Sequence, residues 1–448
     1  MKRLNIKMLR DIKKNLSQFI TIFLMVAIGI MAYSGIESYM DGMKETADKF
    51  YSENNLQDLN VMGANFSKED LENIKALENV SNAERKLSIT GTTNNDKTLL
   101  LNFIESNNIS KFYIMEGEEF DYSKSGVWLD NFYAQENNIK VGDTILVKFE
   151  GIELNEKVLA TINVPDHLYD VRDESELYPD RKEFGFAYLS SNELKFEPIF
   201  NSIMVDVEDT SKTNEVKNEI EEKIESAKAI INIEDTASYV TYQGEIDEGK
   251  TYVGVFSGLF LFIAMLSVIT TMTRVVKNQR VQIGTLKALG FSNTKIIFHY
   301  IGYGFWISIL ASIIGLILGY FVIGNIFIGL EMAFFEIPNG HPVINSQCYI
   351  VSILVILGVS LITYITGRKI LKENPAETLR NKIPNVKAQS LNITTKGIFK
   401  KLGFSSKWNL RDIIRNKMRT FMGVAGVVGC CMLIVCALRN VRLNEFFC

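Results

Sequence analysis

The chain has 448 residues, a net charge of −4 and a mean hydropathy of +0.08. Five runs without Asp, Glu, Lys or Arg each reach about the 20 residues that a helix needs to cross a hydrocarbon core roughly 30 Å thick, which excludes a purely soluble protein. The runs are residues 17–36, 251–273, 296–330, 343–367 and 420–438.

The residue types that common active sites need are scarce. The chain has three histidines and no HExxH or CxxC motif, which argues against a metal enzyme. It also lacks a GxxxxGK(S/T) loop, so it does not bind ATP through that motif. We therefore expect no catalytic site, no metal and no cofactor, and no nucleic-acid partner.

A basic lead, residues 1–16, precedes the first apolar run. The 20 residues of 17–36 are too many for the core of a cleavable signal peptide, so we interpret this run as a retained membrane span. The run 296–330 has 35 residues, which is more than one span needs. It must tilt, extend beyond the bilayer, or bend near one of its glycines.

Charge divides the chain into two parts. Residues 37–250 carry a net charge of −24, and the other residues together carry +20. Because short basic segments stay on the cytoplasmic side of a membrane, we predict a cytoplasmic N-terminus and an extracytoplasmic domain at 37–250, in a multi-pass protein of the plasma membrane. The segments 274–295 and 368–419 are then cytoplasmic, and the loop 331–342 lies outside.

Residues 37–250 have the pattern of a large α+β domain. Two strand–helix–strand patterns with a long β-rich insertion between them, near 111–190, predict a split α+β fold. In the first pattern Ser67 is the predicted helix cap and Asp70 completes a capping box. A stalk helix is predicted at 236–250. The predicted strands are 58–63, 80–93, 127–130, 144–149, 157–164, 200–207 and 230–233, and the predicted helices are 67–77 and 212–228.

The connector between the second and third runs, residues 274–295, is basic and too short to be an enzyme. Within it, 279–289 predicts a short amphipathic helix that carries Val281, Ile283, Leu286 and Leu289, with Gly290 as its C-terminal cap. We interpret this helix as a docking element for a cytosolic partner. The alternative is a basic helix that lies on the membrane surface.

The start of the chain recurs near its end. Residues 9–12 and 410–413 both read Leu-Arg-Asp-Ile, and both lead into an apolar run. This repeat predicts an internal duplication. Residues 383–419 would be a cytoplasmic linker and basic lead, and 420–438 a fifth span that begins a second unit. Either the chain is a truncated half, or the remainder is supplied elsewhere.

The connector sequence RVQIGTLKALGFS, residues 280–292, resembles the cytoplasmic signature of the FtsX-like or MacB-type permeases, the membrane subunits of type VII ABC transporters. Gln282 stands where that signature has an acidic residue. Residues 375–380 resemble the family's ending after the fourth span. The order of one span, a large outer domain and three spans is also similar, so the resemblance covers about 1–382, with 251–382 as the permease domain.

The resemblance implies a non-enzymatic permease that docks a separate cytosolic ABC ATPase on its connector. ATP hydrolysis would move the outer domain by mechanotransmission, to export or extract a hydrophobic or peptidic substrate. Further expected partners are the lipid bilayer and a second permease copy or half. The expected ATPase contacts are Arg280, Ile283, Gly284, Lys287, Ala288 and Gly290.

Two other functions remain open from the sequence. The protein could be a sensory or regulatory membrane protein whose outer domain binds peptides or cell-wall hydrolases without transport. It could also be an inactive remnant of a longer permease. A membrane enzyme is excluded because no catalytic constellation is present.

Overall fold

In the part of the chain that the computed structural model describes, four helices are long and apolar enough to cross a membrane: Leu16–Glu53, Ala237–Asn278, Asn293–Glu331 and Ser346–Arg368. The structure describes residues 2–172, 176 and 178–371, and four single positions, 403, 424, 428 and 431. These four helices correspond to the first four predicted spans. The predicted linker 383–419 and fifth span 420–438 lie outside the described residues, apart from those single positions.

The described residues form eleven α-helices. Two π-helical segments, Val253–Ser257 and Gly319–Gly324, interrupt the long apolar helices. The α-helices are α1 (Lys2–Lys14), α2 (Leu16–Glu53), α3 (Lys68–Lys75), α4 (Asn131–Glu136), α5 (Thr213–Lys223), α6 (Ala237–Tyr252), α7 (Gly258–Asn278), α8 (Arg280–Ala288), α9 (Asn293–Leu318), α10 (Asn325–Glu331) and α11 (Ser346–Leu371).

The strands of the described residues lie between α2 and α6. They are β1 (Leu59–Gly63), β2 (Val80–Thr93), β3 (Thr98–Ile104), β4 (Tyr113–Gly117), β5 (Val127–Asp130), β6 (Thr144–Phe149), β7 (Ile152–Asn163), β8 (Phe184–Ser190), β9 (Ser202–Val207) and β10 (Ala227–Asn232). They form one sheet in the order β10-β1-β9-β2-β3-β8-β5-β7-β4, and β6 pairs with β2 and β7.

The chain divides into two units. Unit 1 is Met1–Tyr39, Lys250–Asn325 and Val343–Cys448, and unit 2 is Met40–Gly249 and Ile326–Pro342. The interior of unit 1 is apolar and is built from α2, α7, α9 and α11, with α8 against it. Its fully buried side chains include Ile30, Val268, Tyr303 and Val359.

Small residues let the helices of unit 1 approach closely. A Cβ at Gly315 of α9 would lie 2.8 Å from the carbonyl oxygen of Ala27 on α2, and a Cβ at Gly304 would lie 2.5 Å from the hydroxyl of Thr363 on α11. The 35-residue run changes from α-helix to π-helix at Gly319. The irregularity therefore falls at one of the glycines where we predict a bend.

Unit 2 contains the two predicted strand–helix–strand patterns, β1–α3–β2 and β9–α5–β10. Their four strands are adjacent and antiparallel, so that Val61 of β1 lies opposite both Ile203 of β9 and Ile230 of β10. Residues of α3 and α5 pack on one face of these strands, where Ile74 and Ile220 are fully buried. The prediction of an α+β domain after the first span is confirmed.

One predicted helix of unit 2 is too long. The pattern 212–228 predicts a single helix, but α5 ends at Lys223, and Ile224 has extended backbone angles. Residues 227–232 instead form β10, which pairs with β1 along its length. Strand pairing and the burial of Ile224 in the core outweigh the local helical pattern there.

Candidate coupling site

The connector forms the short helix that its sequence predicts. The helix α8 ends in a motif that fixes its last turn: the Gly290 N–H donates to the Lys287 carbonyl at 3.0 Å, and the Phe291 N–H donates to the Leu286 carbonyl at 3.1 Å. Gly290 has φ +82°, a left-handed conformation that favours glycine. Gly290 is confirmed as the C-terminal cap.

The next helix begins at once. Ser292 has extended backbone angles, and its hydroxyl accepts a hydrogen bond from the Lys295 N–H at 3.4 Å, so Ser292 caps α9. The glycine that ends α8 and the serine that starts α9 leave only Leu289–Ser292 between the two helices. The connector is therefore short and its direction is set at both ends.

One face of α8 is buried in unit 1. Ile283 is fully buried in the same apolar cluster as Val276 of α7 and Ile296 of α9, and Gly284 beside it is also buried. We expect both residues to contact an ATPase, but in the structure their side of the helix contacts the membrane helices. Their role here is to seat α8.

Lys287 also contacts its own chain. Its Nζ donates a hydrogen bond to the carbonyl oxygen of Leu371, the last residue of α11, at 2.5 Å. Leu371 is buried in the apolar cluster of unit 1. This charged hydrogen bond joins α8 to α11, and it uses a side chain that we expect to face a partner.

The opposite side of α8 is exposed and largely apolar. Val281 is 49% exposed and Leu289 is 70% exposed, and Thr285 and Ala288 between them are exposed as well. Residues four positions apart lie on the same side of a helix. We call these four residues the connector face.

The connector face includes Ala288 but not the other predicted contacts. Gly290 is exposed just beyond it, and Arg280 is half-buried at the start of the helix. The connector face also contains Val281, Thr285 and Leu289, which are not among the contacts that the sequence predicts. Their i, i+4, i+8 spacing was the signal that could have identified them.

A polar site separate from the connector joins the basic lead to α9. The Tyr303 hydroxyl donates to the buried Asp11 carboxylate at 2.9 Å, and Lys7 Nζ lies 2.5 Å from the same carboxylate. His299 Nε2 is 3.3 Å from the Tyr303 hydroxyl. Asp11 belongs to the Leu-Arg-Asp-Ile repeat, whose sequence alone predicts no contact with α9. It holds α1 against α9.

Within the part of the chain that the structure describes, no group of three or more His, Cys, Asp or Glu side chains could hold a metal ion. The two sites of unit 1 described above consist of a helix face and a hydrogen-bonded carboxylate. Their geometry suits contact with another protein and attachment of a helix, and neither brings a nucleophile and a base together.

Two models of known protein families match successive parts of the chain. Residues 19–223 match the MacB-like periplasmic core domain, and residues 254–375 match the FtsX-like permease C-terminal domain. No curated protein matches the chain in sequence.

Two solved structures are similar to part of the chain. One is the extracellular domain of the noncanonic ABC-type transporter YknZ from Gram-positive bacteria, at 14% identity and a TM-score of 0.29, covering 40% of this chain and 99% of that one. The other is the periplasmic region of MacB from Actinobacillus actinomycetemcomitans, at 12% identity and a TM-score of 0.30, covering 44% of this chain and 95% of that one.

Each of the two family matches corresponds to one part of the structure. The first extends from α2 to the end of α5 and so includes the α+β domain except β10, and the second includes the connector and the helices around it. The family implies an ABC ATPase as partner and a transport subunit without its own enzymatic activity. The chain is a membrane protein with an extracytoplasmic α+β segment, and it belongs to the FtsX/MacB-type permeases of ABC transporters.

Proposed function

We propose that this permease couples ATP hydrolysis by a separate cytosolic ATPase to movement of its extracytoplasmic domain, and so exports or extracts a hydrophobic or peptidic substrate. The observation that carries the proposal is the connector face, an exposed apolar surface on a helix whose other side is fixed. The family supplies the expectation of an ATPase, and the connector supplies a surface for it.

The surroundings of α8 suit the transmission of force. Ile283 lies in one apolar cluster with residues of both neighbouring spans, α7 and α9, and Lys287 is hydrogen-bonded to α11. A partner that pushes on the connector face would therefore push on three membrane helices at once. Close-packed interiors transmit such strain because they have little free volume to absorb it.

The sidedness of the connector supports a cytosolic partner. The segment 274–295 has five basic residues and no acidic one, as expected for a short loop kept on the cytoplasmic side. Residues 37–250 have the opposite sign of charge. We therefore place the connector face in the cytosol, where ATP is available, and the α+β unit outside.

The proposed contact set differs from the one that the sequence suggests. Val281, Thr285, Ala288 and Leu289 would contact the ATPase directly. Ile283, Gly284 and Lys287 would hold α8 in place. Arg280 and Gly290 lie at the two ends of the helix, where Arg280 adds positive charge and Gly290 fixes the turn.

The test is co-purification of the full chain with the ATPase encoded nearest to it. We expect Val281→Glu with Leu289→Glu to abolish ATPase retention, because two carboxylates would be buried unpaired in an apolar contact. The matched control is Met115→Glu with Ile199→Glu, which places the same charges on apolar residues of unit 2 that are 45% and 57% exposed.

The control variant should retain the ATPase as well as the wild type does, and both variants should insert into the membrane equally. Equal retention in the wild type and the connector variant would contradict the docking role of the connector face. A wild-type chain that retains no ATPase would contradict the coupling function itself.

A further inference from the structure

Unit 2 has a sheet face that is polar although it is partly buried. Along β1, β2, β3 and β9 the side chains alternate, and Val61 and Ile203 point to the apolar core under α3 and α5. The opposite face carries a row of polar side chains. They are Asn60, Lys86, Ser88, Asn102 and Ser202. Buried polar surface of this kind requires an explanation, whereas an exposed apolar residue does not.

These side chains line a cavity of about 470 Å³. Its other walls are formed by residues 166–167, 169–172, 233 and 236–238, and the whole lining belongs to unit 2. Ligand sites in proteins have volumes of about 300–1,000 Å³ and place a few polar groups among apolar walls. The cavity has the size and composition of a site for a small ligand.

Three buried polar atoms of the lining have no hydrogen-bond partner within the described residues: Asn102 Nδ2, Gln57 Oε1 and Asp166 Oδ1. Asn102 is fully buried and Gln57 is 3% exposed. The Ser88 hydroxyl donates to Asn102 Oδ1 at 2.6 Å, which leaves the amide N–H groups available. Gln57 Nε2 lies 3.5 Å from Asp166 Oδ2, an orientation that directs Gln57 Oε1 away from that carboxylate.

Charges of both signs lie in the cavity wall. Lys86 Nζ is 3.7 Å from Asp166 Oδ2, and both side chains are 7% exposed. At that distance the two groups attract each other without forming a hydrogen bond. A buried ammonium group and a buried carboxylate thus both keep hydrogen-bonding capacity. A ligand that satisfies them must itself both donate and accept.

His167 lines the same cavity, but its contacts are internal. Its Nδ1 lies 2.5 Å from the Asp170 carboxylate, its Nε2 lies 3.1 Å from the Tyr188 hydroxyl, and its ring stacks on Phe186. Both ring nitrogens are therefore occupied. His167 fixes the wall at the position of Asp166 and is not among the groups that await a ligand.

We infer that this cavity binds a zwitterionic amino acid or short peptide. Asp166 and Gln57 would accept hydrogen bonds from the ligand's ammonium group, and Lys86 and Asn102 would donate hydrogen bonds to its carboxylate. A zwitterion brings both charges and adds no net charge to a wall that already holds both signs. Neither a simple anion nor a simple cation would satisfy all four groups.

The volume suits a small ligand. A cavity of about 470 Å³ lies in the lower part of the range found for ligand sites, as expected for an amino acid or a short peptide. The inference does not depend on the proposed coupling to an ATPase, because the cavity belongs to unit 2 and the connector face to unit 1.

The experiment is calorimetric titration of the purified full chain in detergent with four compounds: L-alanyl-L-alanine, its N-acetyl form, its C-terminal amide, and L-alanine. We expect saturable binding of the free dipeptide. Each blocked form should bind at least about tenfold more weakly, because it loses a charged hydrogen bond in a buried site. Whether L-alanine binds as tightly as the dipeptide, or more weakly, identifies the source as a free amino acid or a peptide.

Two variants test the assignment. Asp166→Asn should weaken dipeptide binding at least about tenfold and should make N-acetylation of the ligand nearly without effect. Met62→Trp fills the cavity from its rim, where Met62 is 43% exposed, and alters no buried polar group, so it should abolish binding in a folded chain. The matched control is Asp209→Asn, at an exposed carboxylate outside the cavity.

Absence of saturable binding for all four compounds would overturn the proposal. Equal affinity for the free and blocked dipeptides would overturn the role of the two charges, and undiminished binding in Met62→Trp would exclude this cavity. ATPase retention by these variants should equal that of the wild type. Failure of the cavity proposal is therefore distinguishable from failure of the coupling proposal.

Discussion

The interiors of the two units differ in how they accommodate charge. In the described part of unit 1 the buried charged side chains are Asp11 and Glu37, and one histidine, His299, is also buried. In the described part of unit 2 they are more numerous and of both signs: Glu84, Arg85, Lys86, Asp130, Glu156 and Glu336, with His167 beside them. A hydrocarbon environment makes buried charge expensive, whereas a domain in water can bury charges in pairs. Unit 2 should therefore depend on its charge pairs and unit 1 on its apolar packing.

The largest effect is expected for the buried pair of Arg181 and Glu336 in unit 2. The Arg181 guanidinium donates to the Glu336 carboxylate, whose side chain is fully buried. Arg181→Ala would leave that carboxylate beside Asp130 without its cation, and we expect unfolding free energy to fall by about 3–5 kcal/mol. Thermal unfolding of the detergent-solubilised chain, followed by tryptophan fluorescence, would measure this, since Trp128 is fully buried next to Asp130.

The exposed pair in the same unit provides the control. Arg172 and Glu176 form an ion pair at 2.7 Å, with the Arg172 side chain 52% exposed. Arg172→Ala should change the unfolding free energy by less than about 1 kcal/mol. Losses of similar size in the two variants would show that burial of the pair does not control the stability of unit 2.

The pH dependence of stability should also reflect the buried charged groups of unit 2. Burial raises the pKa of Asp130 to about 6, although Arg181 opposes the shift, whereas an unfolded Asp has a pKa of about 3.9. The folded state then holds the proton more tightly, so the contribution of Asp130 to stability is greatest below about pH 4. It falls as the pH rises to about 6 and is constant above that, a change of about 3 kcal/mol.

Asp130→Asn isolates this contribution. Asn can keep the hydrogen bond that Asp130 accepts from the Phe132 N–H at 2.8 Å, and it does not titrate. The fall in unfolding free energy between pH 4 and pH 6.5 should be smaller in the variant than in the wild type by about 2–3 kcal/mol. Glu336, whose pKa is also raised by burial and by Asp130, remains in both. Identical pH profiles would contradict the assignment to Asp130.

In unit 1 the corresponding test concerns its few buried polar contacts. Tyr303→Phe removes the hydroxyl that donates to Asp11 and leaves the ring in place. A hydrogen bond to a charged group contributes about 1.5–3 kcal/mol, so we expect a loss near the lower end, because Lys7 still neutralises Asp11. The control is Tyr349→Phe on α11, where the side chain is 52% exposed. Equal melting temperatures of the two variants would show that Asp11 does not anchor α1 to α9.

Local sequence signals predicted much of this structure correctly. The strands 127–130 and 144–149, the connector helix with Gly290, and the capping box at Ser67 all follow from alternation, turn chemistry and capping rules. Each of these features is decided within about ten residues. Residues 37–250 have a negative net charge, whereas the rest of the chain has a positive one. This difference likewise indicated a separate outer domain, as the family match supports.

Features that depend on distant partners were missed. The strands β3 and β8 pair in parallel, with Leu101 beside Ala187, and are buried on both faces. Such strands read as continuous apolar runs without alternation. The same limit applies to the connector, where amphipathicity predicts a helix but the positions of α7, α9 and α11 decide that Ile283 and Lys287 face inward.

The smallest effect concerns the capping box, at the surface of unit 2 and away from its buried charges. The Ser67 hydroxyl accepts from the Asp70 N–H at 3.1 Å, and the Asp70 carboxylate accepts from the Ser67 N–H at 2.8 Å. Ser67→Ala should lower the unfolding free energy by about 1 kcal/mol, and Ser67→Asn should restore most of it because Asn is an equally good cap.

Lys68→Ala is the control for this cap, because Lys68 is the exposed first residue of α3 and takes no part in the capping box. It removes a positive charge from a helix N-terminus, so its effect should be neutral or slightly stabilising. Melting temperatures of the full chain would rank the three variants. If Ser67→Asn were as destabilised as Ser67→Ala, the contribution would come from the serine hydroxyl's own contact with the Asp70 carboxylate, at 2.9 Å, and not from the helix cap. The difference between the two variants therefore shows whether local hydrogen bonding at the surface of unit 2 stabilises it independently of the charges buried inside.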